Sequence, residues 1–221
     1  NELDFYNSID KKLSKLEDPN KPMIVSISYN TDLLAMENIF PMVSRWVKFA
    51  RARNNLIIEI RTKSSFFNSI KDMKPSKNII LSWTLSPEKI CKEYEIGAPP
   101  LSKRLDAISD ALNKGWRVRL CFDPILLIKN WETIYDQFID DVFSQIKTDK
   151  LRDVTIGVFR MNKDYFNRIR KRESRSTLYY KNYVIEEGTV TLGKNERQDA
   201  LNKIERKVGH YLPKHKILMW S

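Results

Sequence analysis

Tyr29, Asn30, Thr31 and Asp32 stand at the end of a short alternating run, Val25 to Ser28, just before a helical pattern begins at Leu33. They bring a phenol, an amide, a hydroxyl and a carboxylate to one place. Similar groups close later apolar runs: Thr62 with Lys63, Ser82 with Thr84, Asp123, and Arg160. Any one of these alone is more often a cap, a turn or a surface charge. Five together on one rim favour a pocket for a polar ligand. Lys63 would supply positive charge to a carboxylate or phosphate. Thr31 and Ser82 would supply hydroxyls, and Asp123 could hold an amine or a ribose hydroxyl. Asp32 reads equally well as a helix cap. The two histidines, His210 and His215, lie near the C-terminus, off this rim. Histidine-based acid–base chemistry and a Ser-His-Asp triad therefore have no candidate. A strand-end lysine acting as base or Schiff-base nucleophile stays open for Lys63.

The rim exists only if the elements bring the strand ends together. Apolar periodicity predicts helices over residues 3–17, 33–53, 163–172 and 196–210, and a short helical piece at 65–71. Ser86 with Pro87 reads as a helix start. A further helix starts near Pro100 and stops at Gly115. The segment from Asn130 to Ile146 is another amphipathic helix. Strands are expected at 23–29, 56–61, 78–84 and 116–122, in "RDVTIGVFRM", and in the closing "KILMW". Residues 174–195 read as irregular or partly extended. Strands alternating with helices predict a parallel sheet with right-handed crossovers. The fold class is therefore α/β: a partial (β/α) barrel of mostly parallel strands with outer helices, with a flat doubly wound sheet as the alternative. In either, ligands gather at the carboxyl ends of the strands. The chain reads as a single domain over 1–221, with no Gly-rich dinucleotide fingerprint and no Walker loop.

At 221 residues with 42% hydrophobic and 30% charged residues, the chain suits a globular protein with a sizeable core. No run approaches the length of a membrane span, and the first residues lack the apolar stretch of a signal peptide. Cysteine occurs only at Cys91 and Cys121, without metal-ligand spacing, so a structural zinc or an iron–sulfur cluster held by this chain alone is not expected. A cytoplasmic protein with reduced thiols is the expectation. Net charge is +11, and the region 160–221 has 15 basic and 7 acidic residues, which accounts for most of it. Such a basic region attracts polyanions. Within it, "RIRKRESR" carries Arg168, Arg170, Lys171 and Arg172, and "YYKNY" carries Tyr179 and Tyr180. Aromatics beside cations can stack on splayed bases while the cations hold phosphate. A solvated helix face is the plainer account of the same residues.

The segment "ILSWTLSPEKICKEYEIGAPPLSKRLDAISDALNKGWRVRLCFDPILLIKNWETIYDQFIDDVF" resembles the spore photoproduct lyase family of radical S-adenosylmethionine enzymes. The shared pattern is a strand with a serine, then "YE.G...L..RL.A...A...G", then "F.DPI", then "W...Y". "SYNTDLLAMENI", "IIEIRTKS" and the closing "YLPKHKILMW" resemble further family segments. The resemblance implies a partial barrel that binds S-adenosylmethionine and a [4Fe-4S] cluster at the strand carboxyl ends. It implies reductive cleavage of the cofactor and hydrogen abstraction from a substrate, a nucleic-acid base in a DNA-repair-like reaction. Cofactor contacts would fall on Asn30, Thr31, Lys63, Ser82 and Asp123. Substrate contacts would fall on Arg160 and the basic and aromatic residues of 168–180.

Two departures from the family pattern stand out. The cluster motif CxxxCxxC is absent from this sequence. Three explanations follow, in order: a fragment, a cluster borne by a separate polypeptide, or a cluster-less relative acting as a non-catalytic nucleic-acid-binding module. Second, Tyr29 stands where photoproduct-repairing members carry a hydrogen-donating cysteine. A tyrosine can also give up a hydrogen atom, so Tyr29 is the catalytic candidate. Its alternative is an aromatic lid on the pocket floor.

Overall fold

The computed structural model describes residues 2–18, 21–28, 31–173 and 175–220. The fold is α/β. Six strands form one sheet in the order β1 (Met23–Ile27), β2 (Leu56–Thr62), β3 (Ile79–Thr84), β4 (Arg117–Ile125), β5 (Asp153–Val158) and β9 (Ile217–Trp220), the order of a partial (β/α) barrel, and three short strands form a second sheet. The chain divides into two compact units. One holds the chain up to Thr84 with Gly97–Arg119 and Asp149–Arg152. The other holds Leu85–Ile96, Leu120–Thr148 and the chain from Asp153 onward.

In the first unit, β1 (Met23–Ile27), β2 (Leu56–Thr62) and β3 (Ile79–Thr84) are parallel. Met23 pairs with Leu56, and Ile58 with Ile79. Every residue of β3 is buried, as are five of the seven in β2, which is why both read as nearly continuous apolar runs. Three helices belong to this unit: α1 (Glu2–Leu13), α2 (Met42–Arg51) and α4 (Leu101–Asn113). Helix α1 is held to α2 by aromatic packing. The Tyr6 ring stacks on Phe49 at 4.1 Å and meets Trp46 edge-on at 4.8 Å. Arg53 lies 3.5 Å over Phe49 and forks to the Asp10 carboxylate.

The helix expected over 33–53 is shorter. Residues 33–39 form turns, and α2 begins only at Met42, after Pro41. Proline disfavours helical backbone at the residue before it and cannot donate a backbone bond. Glu37, buried at 5% exposure, turns back instead and caps the new start. Its carboxylate accepts from the Val43 and Ser44 amides at 2.7 and 2.9 Å and from the Ser44 hydroxyl. Helix α4 begins after Pro100, with Leu101, Leu105, Ile108 and Leu112 buried as the periodicity requires. It is followed by Gly115 at φ +85°, a conformation that favours glycine. Strand β4 (Arg117–Ile125) starts in this unit and continues into the second.

The second unit contains α3 (Glu88–Tyr94), α5 (Trp131–Gln145), β5 (Asp153–Val158), α6 (Lys163–Arg172), α7 (Lys194–Val208) and β9 (Ile217–Trp220). Strands β5 and β9 are parallel, with Val154 paired to Ile217. Ser86 is not the expected cap. Pro87 takes the position before α3, and the Ser86 hydroxyl donates to Glu95 at 2.9 Å. The segment read as irregular contains a 3-10 turn at Thr177–Tyr180 and a hairpin, β7 (Val184–Glu186) and β8 (Thr189–Thr191). The hairpin pairs antiparallel with β6 (Arg160–Asn162).

Replacing Glu37 with alanine removes three bonds at the start of α2. The expected loss is about 1–3 kcal/mol of unfolding free energy, measured by urea titration.

Candidate functional site

The strand-end rim of the first unit is built around Asp32. Its carboxylate accepts the Ala35 amide at 3.1 Å, as a cap does. It also accepts the Thr62 hydroxyl at 2.8 Å and the Lys63 amide at 2.7 Å. Asp32 therefore ties the loop after β1 to the end of β2, and Thr62 is committed to it. The Thr62 hydroxyl also accepts the Ser64 amide, and the Ser64 carbonyl accepts the buried Trp83 indole. Ser28, at φ +67°, braces the loop from within: its hydroxyl donates to the Thr31 carbonyl and accepts the Leu33 amide. Thr31 is exposed and Lys63 half-buried, so both reach the loop surface. Thr31 also lines a groove of about 990 Å³ along β1, walled by Phe5 and Ile9 of α1 and by Met42 and Trp46 of α2. Tyr29 and Asn30 lie outside the described residues.

Ser82 is placed differently from Thr31. It is fully buried, and its hydroxyl donates to Glu59 Oε1 at 2.7 Å. The other Glu59 oxygen accepts the Ser26 hydroxyl, and Arg119 Nη1 lies 3.1 Å from Oε1. Glu59 and Arg119 are both buried, at 8% and 6% exposure. Burial pushes the Glu59 carboxyl up, but the Ser26 and Ser82 hydroxyls and the Arg119 charge outweigh it. The net result holds the carboxyl below its ordinary 4.5. Ser82 thus acts on this interior carboxylate and meets no solvent. Sequence reasoning passed over Glu59 and Arg119. The available signal was a lone charge inside each apolar run, "LIIEI" and "VRLCF".

In the second unit, Asp123 and Arg160 come together. The Arg160 guanidinium faces the Asp123 carboxylate end-on, Nη1 to Oδ1 at 3.2 Å and Nη2 to Oδ2 at 3.1 Å. Nη1 also donates to the Val158 carbonyl at 3.2 Å. The Asp123 side chain is 8% exposed and that of Arg160 32%. Two residues that the sequence assigns to different ligands are thus one ion pair.

Helix α6 buries Phe166 and Ile169 and leaves Arg168, Arg170, Lys171 and Arg172 exposed. Asn162 caps its start by accepting the Asp164 and Tyr165 amides. The two tyrosines of the adjoining turn differ. Tyr180 is 61% exposed, whereas Tyr179 packs edge-on against Phe166 at 5.6 Å. Tyr183, not singled out from the sequence, packs against Phe159 and Phe166 and donates to the Leu178 carbonyl. Burial pushes its phenol well above the ordinary range.

Among the described residues, no group of three His, Cys, Asp or Glu side chains could hold a metal ion. Cys91 and Cys121 are buried and in no disulfide. No described helix is long and apolar enough to cross a membrane.

Replacing Glu59 with alanine removes the buried carboxylate that Ser26, Ser82 and Arg119 share. The expected cost is about 3–5 kcal/mol by denaturant unfolding. The double variant Glu59→Leu/Arg119→Leu should recover a large part of that loss, because it removes both buried charges.

The chain matches the spore photoproduct lyase family over residues 7–218. No curated protein matches it by sequence. Among solved structures, it resembles a point mutant of spore photoproduct lyase, with 13% identity and a TM-score of 0.85 over 97% of this chain and 64% of that one. A double mutant with bound AdoMet and dinucleoside spore photoproduct gives 14% identity and a TM-score of 0.86, over 98% of this chain and 65% of that one. Spore photoproduct lyase complexed with dinucleoside spore photoproduct gives 14% and 0.83, over 97% and 64%. The chain thus spans 64% to 65% of the length of these proteins, and at such identities the likeness speaks to the fold. A family match running from the first helix to the last strand leads to one assignment: the chain belongs to the spore photoproduct lyase family.

Proposed function

We propose that this chain is the S-adenosylmethionine-binding and nucleic-acid-facing part of a radical enzyme that acts on a base in a DNA-repair-like reaction. The family match over residues 7–218 carries this reading. A structural neighbour described with bound AdoMet and dinucleoside spore photoproduct supports it. In this reading the protein works in the cytoplasm.

The first unit would take the cofactor. Its donors fit one: the Lys63 ammonium and the Thr31 hydroxyl stand at loops that Asp32 locks together, with Asn30 beside Thr31 in sequence. Lys63 would pair with the carboxylate of the methionyl group, and Thr31 would accept or donate at its edge. Ser82 would contribute by holding Glu59 and hence the strands beneath. When bound, S-adenosylmethionine supplies hydrogen-atom abstraction. The residues of this chain do not fit the [4Fe-4S] cluster: its cysteines are two, buried and far apart in sequence. The cluster's ligands would come from an upstream segment or a separate cluster-binding polypeptide. Tyr29 would serve as the local hydrogen-atom donor in place of the family cysteine.

The second unit would take the nucleic acid. The exposed Arg168, Arg170, Lys171 and Arg172 would track phosphates, while the exposed Tyr180 ring offers a stacking face. Tyr179 would act by bracing that turn on Phe166.

Two measurements test the reading. Lys63→Ala should weaken S-adenosylmethionine binding about tenfold or more in equilibrium dialysis. An unchanged affinity, or no binding by the parent chain, would overturn the cofactor assignment. Replacing the four α6 cations with alanine should weaken DNA binding and flatten its salt dependence. DNA binding without S-adenosylmethionine binding would favour a non-catalytic nucleic-acid module.

A further inference from the structure

The Arg160 guanidinium is held on three sides within the second unit. Asp123 takes its end-on fork, and the Val158 carbonyl takes another Nη1 proton. Gly157 lies beneath the pair: a Cβ there would sit 2.8 Å from Arg160 Nη1 and 2.8 Å from Asp123 Oδ1. Such distances forbid any side chain while the pair stands as it does.

A guanidinium has five N–H donors in a rigid plane. Asp123 and Val158 engage three of those of Arg160. The remaining two, Nε–H and the second Nη2–H, share the other edge of the plane and meet no partner among the described residues. That edge has the geometry to take two oxygens of one oxyanion in parallel bonds. With its side chain 32% exposed, Arg160 is open to a ligand while its partner carboxylate is nearly closed off. Pinning by Asp123 removes most of the rotamer freedom that a binding arginine must otherwise lose.

We propose that the free edge of Arg160 is a preset oxyanion site, with Asp123 as the positioning residue and Gly157 as the residue that makes room for the pair. Asp123 then acts through Arg160 and does not itself contact a cofactor. The ligand is a phosphodiester of the nucleic acid, the polyanion that the second unit is proposed to take. This inference rests on the reading of Arg160 as ligand-facing, and it requires neither cluster nor turnover.

The test compares charged and neutral partners on the purified chain by isothermal titration calorimetry. The pair is thymidylyl-thymidine and its uncharged methylphosphonate. The parent should prefer the anionic member by about tenfold or more. Arg160→Lys keeps the charge but loses the planar fork, and should abolish the preference. Gly157→Ala should abolish it by displacing the guanidinium, and Asp123→Asn should diminish it. The preference is a ratio, so a general loss of folded protein cancels. No preference, or a preference that survives Arg160→Lys, overturns the proposal. Failure of radical chemistry alone would leave it standing, because no cleavage is measured.

Discussion

The Glu59 carboxylate is the constraint on which the first unit depends. It sits on β2, between its parallel neighbours β1 and β3, and accepts bonds from Ser26 on β1, Ser82 on β3 and Arg119 on β4. Removing a carboxylate from water costs several kcal/mol unless partners replace the water. Here three donors do so, each from a different strand. A slip of β2 by one residue would turn Glu59 to the other face and break all three contacts. Apolar packing alone specifies register weakly for strands buried on both faces. The buried charge makes the native register, Ser26 opposite Glu59 and Ser82 opposite Arg61, the one that satisfies it.

Register in turn places the strand ends. Thr62 and Lys63 follow Glu59 by three and four residues, and both are gathered by Asp32 from the loop after β1. That carboxylate does two tasks at once, capping a turn and joining two loops, so the hydroxyl and ammonium of the rim start from a braced backbone. The second unit uses the same device. There the carboxylate of Asp123 is nearly closed off and fixes a half-open cation, Arg160. In both places a carboxylate holds a polar group at the end of a strand.

The legible parts of this fold were those with enough length for periodicity to speak. Helix α6 was expected over 163–172 and found there, and α4 was expected to begin near Pro100 and stop at Gly115. The strands of the main sheet were recognisable as apolar runs. The helix over 33–53 misled because its apolar spacing continues through Pro41, whereas the backbone cannot. The hairpin β7–β8 escaped because strands of three residues hold too little alternation to register. At the site, the rim positions could be read from strand ends, but their partners could not. Nothing local in the sequence joins Asp123 to Arg160, 37 residues apart, or Glu59 to Arg119, 60 residues apart. Lone charges in the apolar runs of β2 and β4 were the one sign that such pairs exist.

The ionisation of Glu59 tests this account most directly. Its folded carboxyl lies below the ordinary 4.5, so its contribution to stability is full above that value and lost as pH falls through the lower folded value. Carboxyl carbon-13 NMR, with the resonance assigned by its disappearance in Glu59→Gln, follows this one group. The account predicts a shift that stays constant as pH falls through 4.5 and moves only at more acid pH. A titration centred at or above 4.5 would show that burial outweighs the three donors, and would contradict it.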